Sequence, residues 1–509
     1  MRFNEKKKGA NTTVNYEGEI AYKLTPKMEL YTLVCTASLQ KKFYTDKDEC
    51  IGRLRGLLHK VPFEFAAKLA IYAREKMYLR SIPLVIAVEL LKLADNHTKD
   101  VHEQSGMLED LVARVIQRAD EIPEILSYFQ LANEREGTKK LNKLPTALKK
   151  GVARAFYKFD EYQFAKYNRD TEVTIRDAMF LCHPKPIKEK EELFKKIADN
   201  TLDIPYTWET ELSKADGRSK KEKWESLIAS DKVGYMAQLR NLRNMLEENV
   251  NNIQVVLDSL ADSVNVAHSR QLPFRFFSAY REVANVGSFK ASAVMECLES
   301  AMMHSTKNIK GFDLNTNVLI ACDMSSSMQH PISPKSKIQN FEIGLTLGML
   351  LQSRCRSVIT GLFGEDWKVV QLPRTSILAN THKLVNMIGE VGHSTNGYKA
   401  IRWLLNQSQK ADKVFLFTDC QLWDSDSGGH WGYYTSPTSN LKEEWKKYKL
   451  IAPNAKLYIF DLAGYGNTPI DLSTKDVYMI AGWSEKVFEV LDAIEKGDSN
   501  LSEIEKIEI

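Results

Sequence analysis

The first three hundred residues carry a helical pattern of apolar positions. From about residue 28 to 304, apolar residues recur at spacings of three and four, with Gly and Pro between the runs. In the segment PFEFAAKLAIYARE, for example, Phe65, Leu69 and Ala73 form one stripe. Because strand-like alternation is nearly absent in this part of the chain, we predict an all-α array of stacked helical hairpins of the α-solenoid kind.

The pattern changes after the segment STKNIKGFDLNT, residues 305–316. Short runs rich in β-branched and aromatic residues now alternate with segments of helical spacing; the runs are NVLIAC, SVITGLF, KVFLFTD and KLYIFDL. Apolar strands that alternate with helices are typical of a doubly wound, mostly parallel sheet that is buried on both faces. We therefore predict a multidomain protein, with a helical domain over residues 1–310 and an α/β domain over residues 311–509.

The composition argues against a membrane protein and against a disulfide-stabilised one. Charged residues make up 27% of the chain, and no apolar stretch approaches the roughly 20 residues that cross a bilayer. The first residues, MRFNEKKKGANTT, lack the apolar segment of a signal peptide, so we expect a cytoplasmic protein. The seven cysteines are scattered and form no C-x-x-C pair, which disfavours a disulfide framework or structural zinc.

The net charge of +4 is unevenly distributed along the chain. Residues 316–509 hold 20 Lys and Arg against 22 Asp and Glu, which leaves 50 against 44 in residues 1–315. This excess is too small to establish nucleic-acid binding by itself. It directs the search for an anionic partner to the helical part of the chain.

Polar oxygen ligands follow two of the predicted strands in the α/β domain. The segment NVLIACDMSSSM places Asp323, Ser325 and Ser327 just past one strand, Asp419 follows KVFLFT, and the loop GHSTNG adds Thr395. Ligands of open α/β sheets bind at the carboxyl ends of strands, and hard oxygen donors suit a divalent cation, Mg²⁺ first. The simpler alternative is that Asp and Ser only cap the helix that follows.

The same three loops, LIACDMSSSM, GHSTNG and FTDCQ, resemble those of a von Willebrand factor A domain. By that resemblance they form a metal-ion-dependent adhesion site, which leaves one position of the ion open for an acidic side chain of a partner. Such sites recognise partners and do not catalyse. Neither a nucleophile–base pair nor an acid–base couple is evident, so we do not expect an enzyme.

Four segments of the helical part resemble the TROVE module: NYEGEIAYKLTPKMEL, KLPTALKKGVARAFYKFDEYQFAKYNRD, RDAMFLCHPKP and LPFRFFSAYREV. The order of this module and an A domain is similar to that of the Ro autoantigen family, in its bacterial type. The resemblance implies a monomeric HEAT-like helical ring closed by the A domain. It also implies binding of small noncoding Y-like RNA and of the single-stranded 3′ ends of misfolded or defective RNAs, in RNA quality control and together with an exoribonuclease.

Candidate RNA contacts are basic residues on outward helix faces and in the stretch that matches the family's RNA-contacting segment. They are Lys139, Lys140, Lys143, Lys149, Lys150, Arg154, Lys166, Arg169, Arg176, His183 and Lys185. Tyr167 and Phe164 lie among these charges and are candidates for stacking on unpaired bases. For His183, capping or packing at the end of the helix TIRDAMFLC is an equal alternative.

Two functions of different class remain open at this point. The first is an RNA-binding protein that forms a ribonucleoprotein. The second is a protein-interaction adaptor that uses no RNA and grips an acidic partner through the ion of the A domain. A metal-dependent enzyme is disfavoured, because the ion would lack the other groups that hydrolysis needs.

Overall fold

The computed structural model describes residues 11–36, 47–95, 101–134, 143–306, 312, 315–332, 336–423 and 440–509. The chain folds into two compact units, one of residues 1–57 with 234–503 and one of residues 58–233 with 504–509. We call them the large unit and the small unit. The predicted boundary at residue 310 separates two classes of sequence pattern, and as a domain boundary it stays a prediction.

The small unit is helical, as the spacing of apolar residues predicts. Its helices are α3 (Phe63–Glu75), α4 (Ser81–Asp95), α5 (Val101–Val115), α6 (Glu121–Ala132), α7 (Thr146–Phe156), α8 (Glu161–Tyr167), α9 (Ile175–Cys182), α10 (Glu191–Ala198), α11 (Trp208–Ser213) and α12 (Lys220–Ala229). Near the end of the chain, the boundary between the units at residue 504 falls within α23 (Ser502–Glu505). The predicted stripe of Phe65, Leu69 and Ala73 is buried. Side chains of Asp160 and Thr174 cap α8 and α9, which fixes where these helices begin.

A buried ion pair holds α3 against the turn between α5 and α6. The Arg74 guanidinium donates to both carboxylate oxygens of Glu121 at 2.8 Å and to the Val115 carbonyl at 2.9 Å. The amides of Gln117 and Arg118 also donate to Glu121. Burial raises the pKa of Glu121, so desolvation outweighs these partners. Loss of one partner would therefore leave an uncompensated buried charge.

The first helices of the large unit are α1 (Pro26–Cys35) and α2 (Lys47–Leu58). A second group of helices follows residue 234: α13 (Tyr235–Glu247), α14 (Ile253–Ala261), α15 (Ser263–Ser269), α16 (Pro273–Ala284) and α17 (Ala291–Ser305). The α/β part contributes α18 (Asn340–Arg354), α19 (Leu378–Val385), α20 (Tyr398–Asn406), α21 (Asn440–Ile451) and α22 (Val487–Glu495).

The α/β part is a six-stranded sheet, as the alternation of strand and helix patterns predicts. Its strands are β3 (Asn317–Asp323), β4 (Ser357–Phe363), β5 (Trp367–Val370), β6 (Lys413–Thr418), β7 (Lys456–Asp461) and β9 (Val477–Ala481). Their order is β5-β4-β3-β6-β7-β9, and only β5 runs antiparallel to its neighbour. Helix α18 packs on β3 and β6. Gly348 allows the close approach because it has no side chain: a Cβ at this position would lie only 3.0 Å from the Cys322 sulfur.

The first residues of the large unit form strands that the sequence pattern does not predict. Strand β1 (Thr12–Val14) pairs antiparallel with β2 (Ile20–Lys23), and β2 pairs with β8 (Asn467–Thr468). Strands β1 and β2 lie before residue 28, where the helical pattern begins, but within the predicted helical domain of residues 1–310. The three strands have three, four and two residues, too few to show alternation. The pairing of β2 with β8 also joins segments more than four hundred residues apart in sequence.

Helix α1 covers the edge of the six-stranded sheet. The Tyr31 hydroxyl donates to the carbonyl of Ala481 and accepts from its amide, both at 3.1 Å. Arg53 of α2 donates to the Gly464 carbonyl at 3.1 Å. The Tyr31 contacts satisfy polar groups of the edge strand β9 that would otherwise need water or another chain. In the described part of the chain, no helix combines the length and the apolarity that a bilayer crossing requires.

Candidate metal centre and nucleic-acid interface

Two carboxylates meet at the point where the sheet reverses its order of connection. From β3 the chain continues to β4 on one side, whereas β6 joins β3 on the other side, with Cys322 opposite Phe417. Asp323 is the last residue of β3, and Asp419 follows β6 directly. Both side chains are 1% exposed. The topological switch point therefore carries two buried acids, at the place where open α/β sheets bind ligands.

The first loop folds back on its own aspartate and does not cap a helix. The Ser325 amide donates to Asp323 Oδ1 at 2.9 Å, and the hydroxyls of Ser325 and Ser327 lie 3.3 Å apart. The short 3₁₀ turn Ser327–Gln329 has no side-chain cap, and α18 begins only at Asn340. The capping alternative for this motif is therefore wrong.

The three predicted loops are bonded to one another. Thr395 donates its hydroxyl hydrogen to the Gln421 carbonyl at 3.0 Å and accepts from the Trp423 amide at 2.8 Å. The Ser326 amide donates to the His393 carbonyl at 3.1 Å, which joins the first loop to the second. Ser325, Ser327, Thr395 and the two aspartates thus share one buried cluster of loops, and their role as metal ligands stays a prediction.

Two further residues of the cluster were missed at the level of sequence. Thr418 donates to Asp323 Oδ2 at 2.6 Å, across the pairing of β6 with β3. The Gln421 amide donates to Asp419 Oδ1 at 3.0 Å, and its side chain accepts from the Tyr16 amide at 2.9 Å. Both residues belong to the TDCQ motif, which could have drawn attention to them. The bond from Thr418 to Asp323 follows only from the strand register, and the bond from Tyr16 to Gln421 only from the position of the N-terminal strands.

The electrostatics of the cluster favour a cation. Burial raises the pKa of Asp323 to about 6. Burial, and then the charge of Asp323, raises the pKa of Asp419 to about 8. The Asp419 Oδ2 atom is buried and has no hydrogen-bond partner among the described residues. A bound divalent ion would neutralise both carboxylates and occupy that oxygen.

The donor set fits a hard cation better than a soft one. Within the described ranges, no three His, Cys, Asp or Glu side chains group together as a metal site. The donors here are two carboxylates with the hydroxyls of Ser325, Ser327 and Thr395, all at most 5% exposed. Oxygen-only sites that retain waters are typical of Mg²⁺.

The predicted RNA contacts on α7 are partly neutralised. Arg154 donates to Asp110 at 2.9 Å and lies 3.6 Å from Glu109, and Lys150 lies 3.9 Å from Glu109. Lys149 is half-buried, and Lys143 is exposed. Two of the predicted contacts, Lys139 and Lys140, lie outside the described residues. The face of α7 therefore offers less positive potential than a count of its basic residues suggests.

The predicted contacts in and after α8 and α9 differ from those on α7. Among the described residues, Lys166, Arg169, Arg176, His183 and Lys185 make no ion pair with a carboxylate, and all except the half-buried Lys166 are exposed. Lys166 instead lies 5.8 Å from the ring centres of both Tyr162 and Tyr167. This surface is thus the more available site for an anionic ligand.

His183 ends α9 through its backbone and leaves its ring exposed. It is the C-cap residue, in the left-handed conformation with φ 51°, and its amide donates to the Met179 carbonyl at 2.9 Å. Its side chain is exposed, whereas Pro184 beside it is buried. Of the two interpretations, the structure supports the cap for the backbone, and the exposed imidazole remains available to a ligand.

Phe164 is not available for stacking on a base. Its side chain is 0% exposed, and its ring lies 5.5 Å from Phe156 and 5.8 Å from Phe159. The expectation for this residue was wrong, because the apolar face of the seven-residue α8 turns it inward. Tyr167 is half-buried, with the Arg118 guanidinium 4.7 Å from its ring centre.

Comparison with known families accounts for nearly the whole chain. Residues 25–203 and 200–319 match the family model of the TROVE domain. Residues 317–494 match that of the Ro60 vWA domain, that is, a von Willebrand factor A domain. The junction of the two matches coincides with the change from helical pattern to alternating strands and helices.

Individual proteins are similar over different lengths. Telomerase protein component 1 of Rattus norvegicus is 26% identical over 342 residues, and that of Mus musculus is 26% identical over 345 residues, in each case 50% of this chain. The matched stretch covers only 12% and 13% of those proteins. The crystal structure of the Deinococcus radiodurans Ro (RSR) protein superposes with a TM-score of 0.57 at 16% identity, over 93% of this chain and 100% of that one, which shows a shared fold.

The two raised pKa values predict how stability depends on pH without a cation. An unfolded aspartate ionises near a pKa of about 3.9, so the folded protein holds more protons than the unfolded one up to pH about 8. Stability should therefore fall as pH rises through this window. In the presence of a chelator, Asp419→Asn should raise the free energy of unfolding at pH about 8 by more than about 1 kcal/mol. It should also make the free energy of unfolding, measured by chemical unfolding, depend less on pH.

The matched control is Asp366→Asn, because Asp366 is an exposed carboxylate of the same unit. It should follow the wild-type curve. If the stability of Asp419→Asn depended on pH as that of the wild type does, the pKa of Asp419 would not be raised by burial beside Asp323.

Proposed function

This chain belongs to the Ro family, as a TROVE-domain protein with a Ro60-type von Willebrand factor A domain, and from that premise we propose which RNAs it binds and where. The family indicates an RNA-binding protein of ribonucleoproteins. We propose that this chain binds a small structured noncoding RNA of the Y type. We also propose that it receives the single-stranded 3′ ends of misfolded RNAs, by binding and without turnover.

The observation that carries the proposal is the set of cations on α8, α9 and the turns beside them. Phosphates attract side chains whose charge is not already neutralised. Lys166, Arg169 and Arg176 make no ion pair with a carboxylate in the described part of the chain, whereas Arg154 on α7 makes two. The Arg176 Nε atom donates to the Ala198 carbonyl at 2.7 Å, which holds the guanidinium in place while leaving it exposed. We therefore assign the primary RNA contact to this surface.

We propose a separate role for the buried acids of the large unit. Asp323, Ser325, Ser327, Thr395 and Asp419 would hold a divalent cation, Mg²⁺ first, and the orphaned Oδ2 atom of Asp419 supports this. The ion would supply a positive charge that accepts an acidic side chain of a protein partner, for which a 3′ exoribonuclease is one candidate. This site would recruit a partner to the ribonucleoprotein, while the helices hold the RNA.

The RNA surface is tested by removing its charges. The combined substitutions Lys166→Ala, Arg169→Ala and Arg176→Ala should weaken the binding of a structured small RNA by roughly tenfold or more. They should also reduce the magnitude of the slope of log affinity against log salt by about 2, because RNA binding releases fewer counterions when phosphate contacts are lost. Filter binding or fluorescence anisotropy at several salt concentrations measures both quantities.

The control removes equal charge from the large unit, through Lys383→Ala, Lys410→Ala and Lys446→Ala, all at exposed positions. This variant should keep the wild-type slope. Equal slopes for all three proteins would place the RNA on another surface.

The ion site is tested by cation binding without RNA. Wild-type protein should bind Mn²⁺, seen as loss of the free-ion signal in electron paramagnetic resonance, and should gain thermal stability with Mg²⁺. Asp323→Ala should lose both effects, and the exposed control Asp366→Ala should keep them. Retention of Mn²⁺ binding by Asp323→Ala would refute the site.

A further inference from the structure

The outer face of α9 carries an aromatic ring between two basic residues. Arg176, Phe180 and His183 are spaced by four and three residues, which places them on one helix face. All three are exposed, whereas Ile175, Ala178 and Cys182 on the opposite face are buried. The helix is thus amphipathic in the ordinary way, except that its polar face holds a phenylalanine.

Phe180 is unusual among the aromatic residues of the small unit. Its side chain is 52% exposed, more than any other aromatic residue described there; Tyr162, at 41%, is the next. A single exposed apolar residue is common and needs no explanation by itself. What distinguishes Phe180 is its surroundings, because the exposed residues one turn away on the same face, Arg176 and His183, are basic and not apolar.

The ring is held next to one of these cations. The Arg176 guanidinium carbon lies 5.3 Å from the centre of the Phe180 ring, within the range of a cation–π contact. Arg176 is itself anchored by its bond from Nε to the Ala198 carbonyl at 2.7 Å. The position of the ring therefore depends on a fixed neighbour, and about half of its surface stays open to solvent.

His183 completes the arrangement at the other end of the helix. Its φ of 51° is a backbone conformation that glycine or asparagine adopts more easily, so this position costs free energy with histidine. The buried Pro184 that follows fixes the turn. Arg176 and His183 lie roughly 10 Å apart along the helix axis, given a rise of about 1.5 Å per residue, and Phe180 lies between them.

We propose that Phe180 is a base-stacking residue, on which an unpaired base of the bound RNA stacks while phosphates on either side contact Arg176 and His183. Aromatic side chains bind bases in this way only when the bases are not already stacked in a duplex. The proposal rests on the proposed RNA binding at this surface. It adds that the face of α9 selects single-stranded over double-stranded RNA.

The test compares one RNA strand in two states. A fluorescent oligonucleotide of adenine and cytosine is titrated alone and after annealing to its complement, and anisotropy is measured over a range of salt. Phe180→Ala should weaken binding of the single strand by about 5- to 100-fold, the range typical of one stacked base, and should leave duplex binding unchanged. The salt slope should also stay unchanged, since the ring carries no charge. Phe180→Trp, which keeps an aromatic ring at this position, should bind the single strand about as tightly as the wild type.

The matched control is Phe289→Ala, which removes an exposed phenylalanine from the large unit and should have no effect. Unchanged single-strand binding by Phe180→Ala, or an equal loss for both RNA states, would overturn the stacking role. Either result would leave the RNA surface itself standing if the triple charge variant still lost affinity. Failure of the wild-type protein to bind either RNA would instead refute the proposed function.

Discussion

Two aspartates buried side by side impose the main constraint on the large unit. Asp323 and Asp419 end up together because β3 and β6 are neighbours in a parallel sheet whose connections run outward in both directions. Parallel strands bring their carboxyl ends to one edge, so the loops that follow them must share that edge. Burial raises the pKa of both carboxyls, and the charge of Asp323 raises that of Asp419 further. The surrounding loops are bonded to one another in a way that preserves this arrangement.

The N-terminal strands are part of that support. The Asn15 side chain donates to the Leu422 carbonyl at 2.8 Å, and the Tyr16 amide donates to the side chain of Gln421. Gln421 in turn bonds Asp419 and accepts from Thr395. A segment at the start of the chain therefore stabilises the loop beside the candidate ion site. Within the small unit, the buried pair of Arg74 and Glu121 has a corresponding role, because it holds α3 against the turn between α5 and α6.

Periodicity was sufficient to predict the helices of the small unit and the central sheet of the large one, because each has a long, buried apolar face. It was not sufficient for β1 and β2, since two short strands that pair with a remote segment have no local signal. The three loops predicted Asp323 and Asp419 as neighbours. Thr418 and Gln421 required the strand register, and the inward position of Phe164 required the packing of a short helix. Charge counts likewise could not separate Arg154, which pairs with Asp110, from Lys166, Arg169 and Arg176 on and beside α8 and α9.

The most direct measurement is to purify the protein from its host at low salt, without nuclease, and to sequence the RNA that remains bound. The account predicts strong enrichment of one or a few small structured RNAs, together with RNAs that end in an unpaired 3′ tail. It also predicts that this RNA is lost from the variant without Lys166, Arg169 and Arg176. Recovery of no enriched RNA, or the same RNA from that variant, would contradict the account.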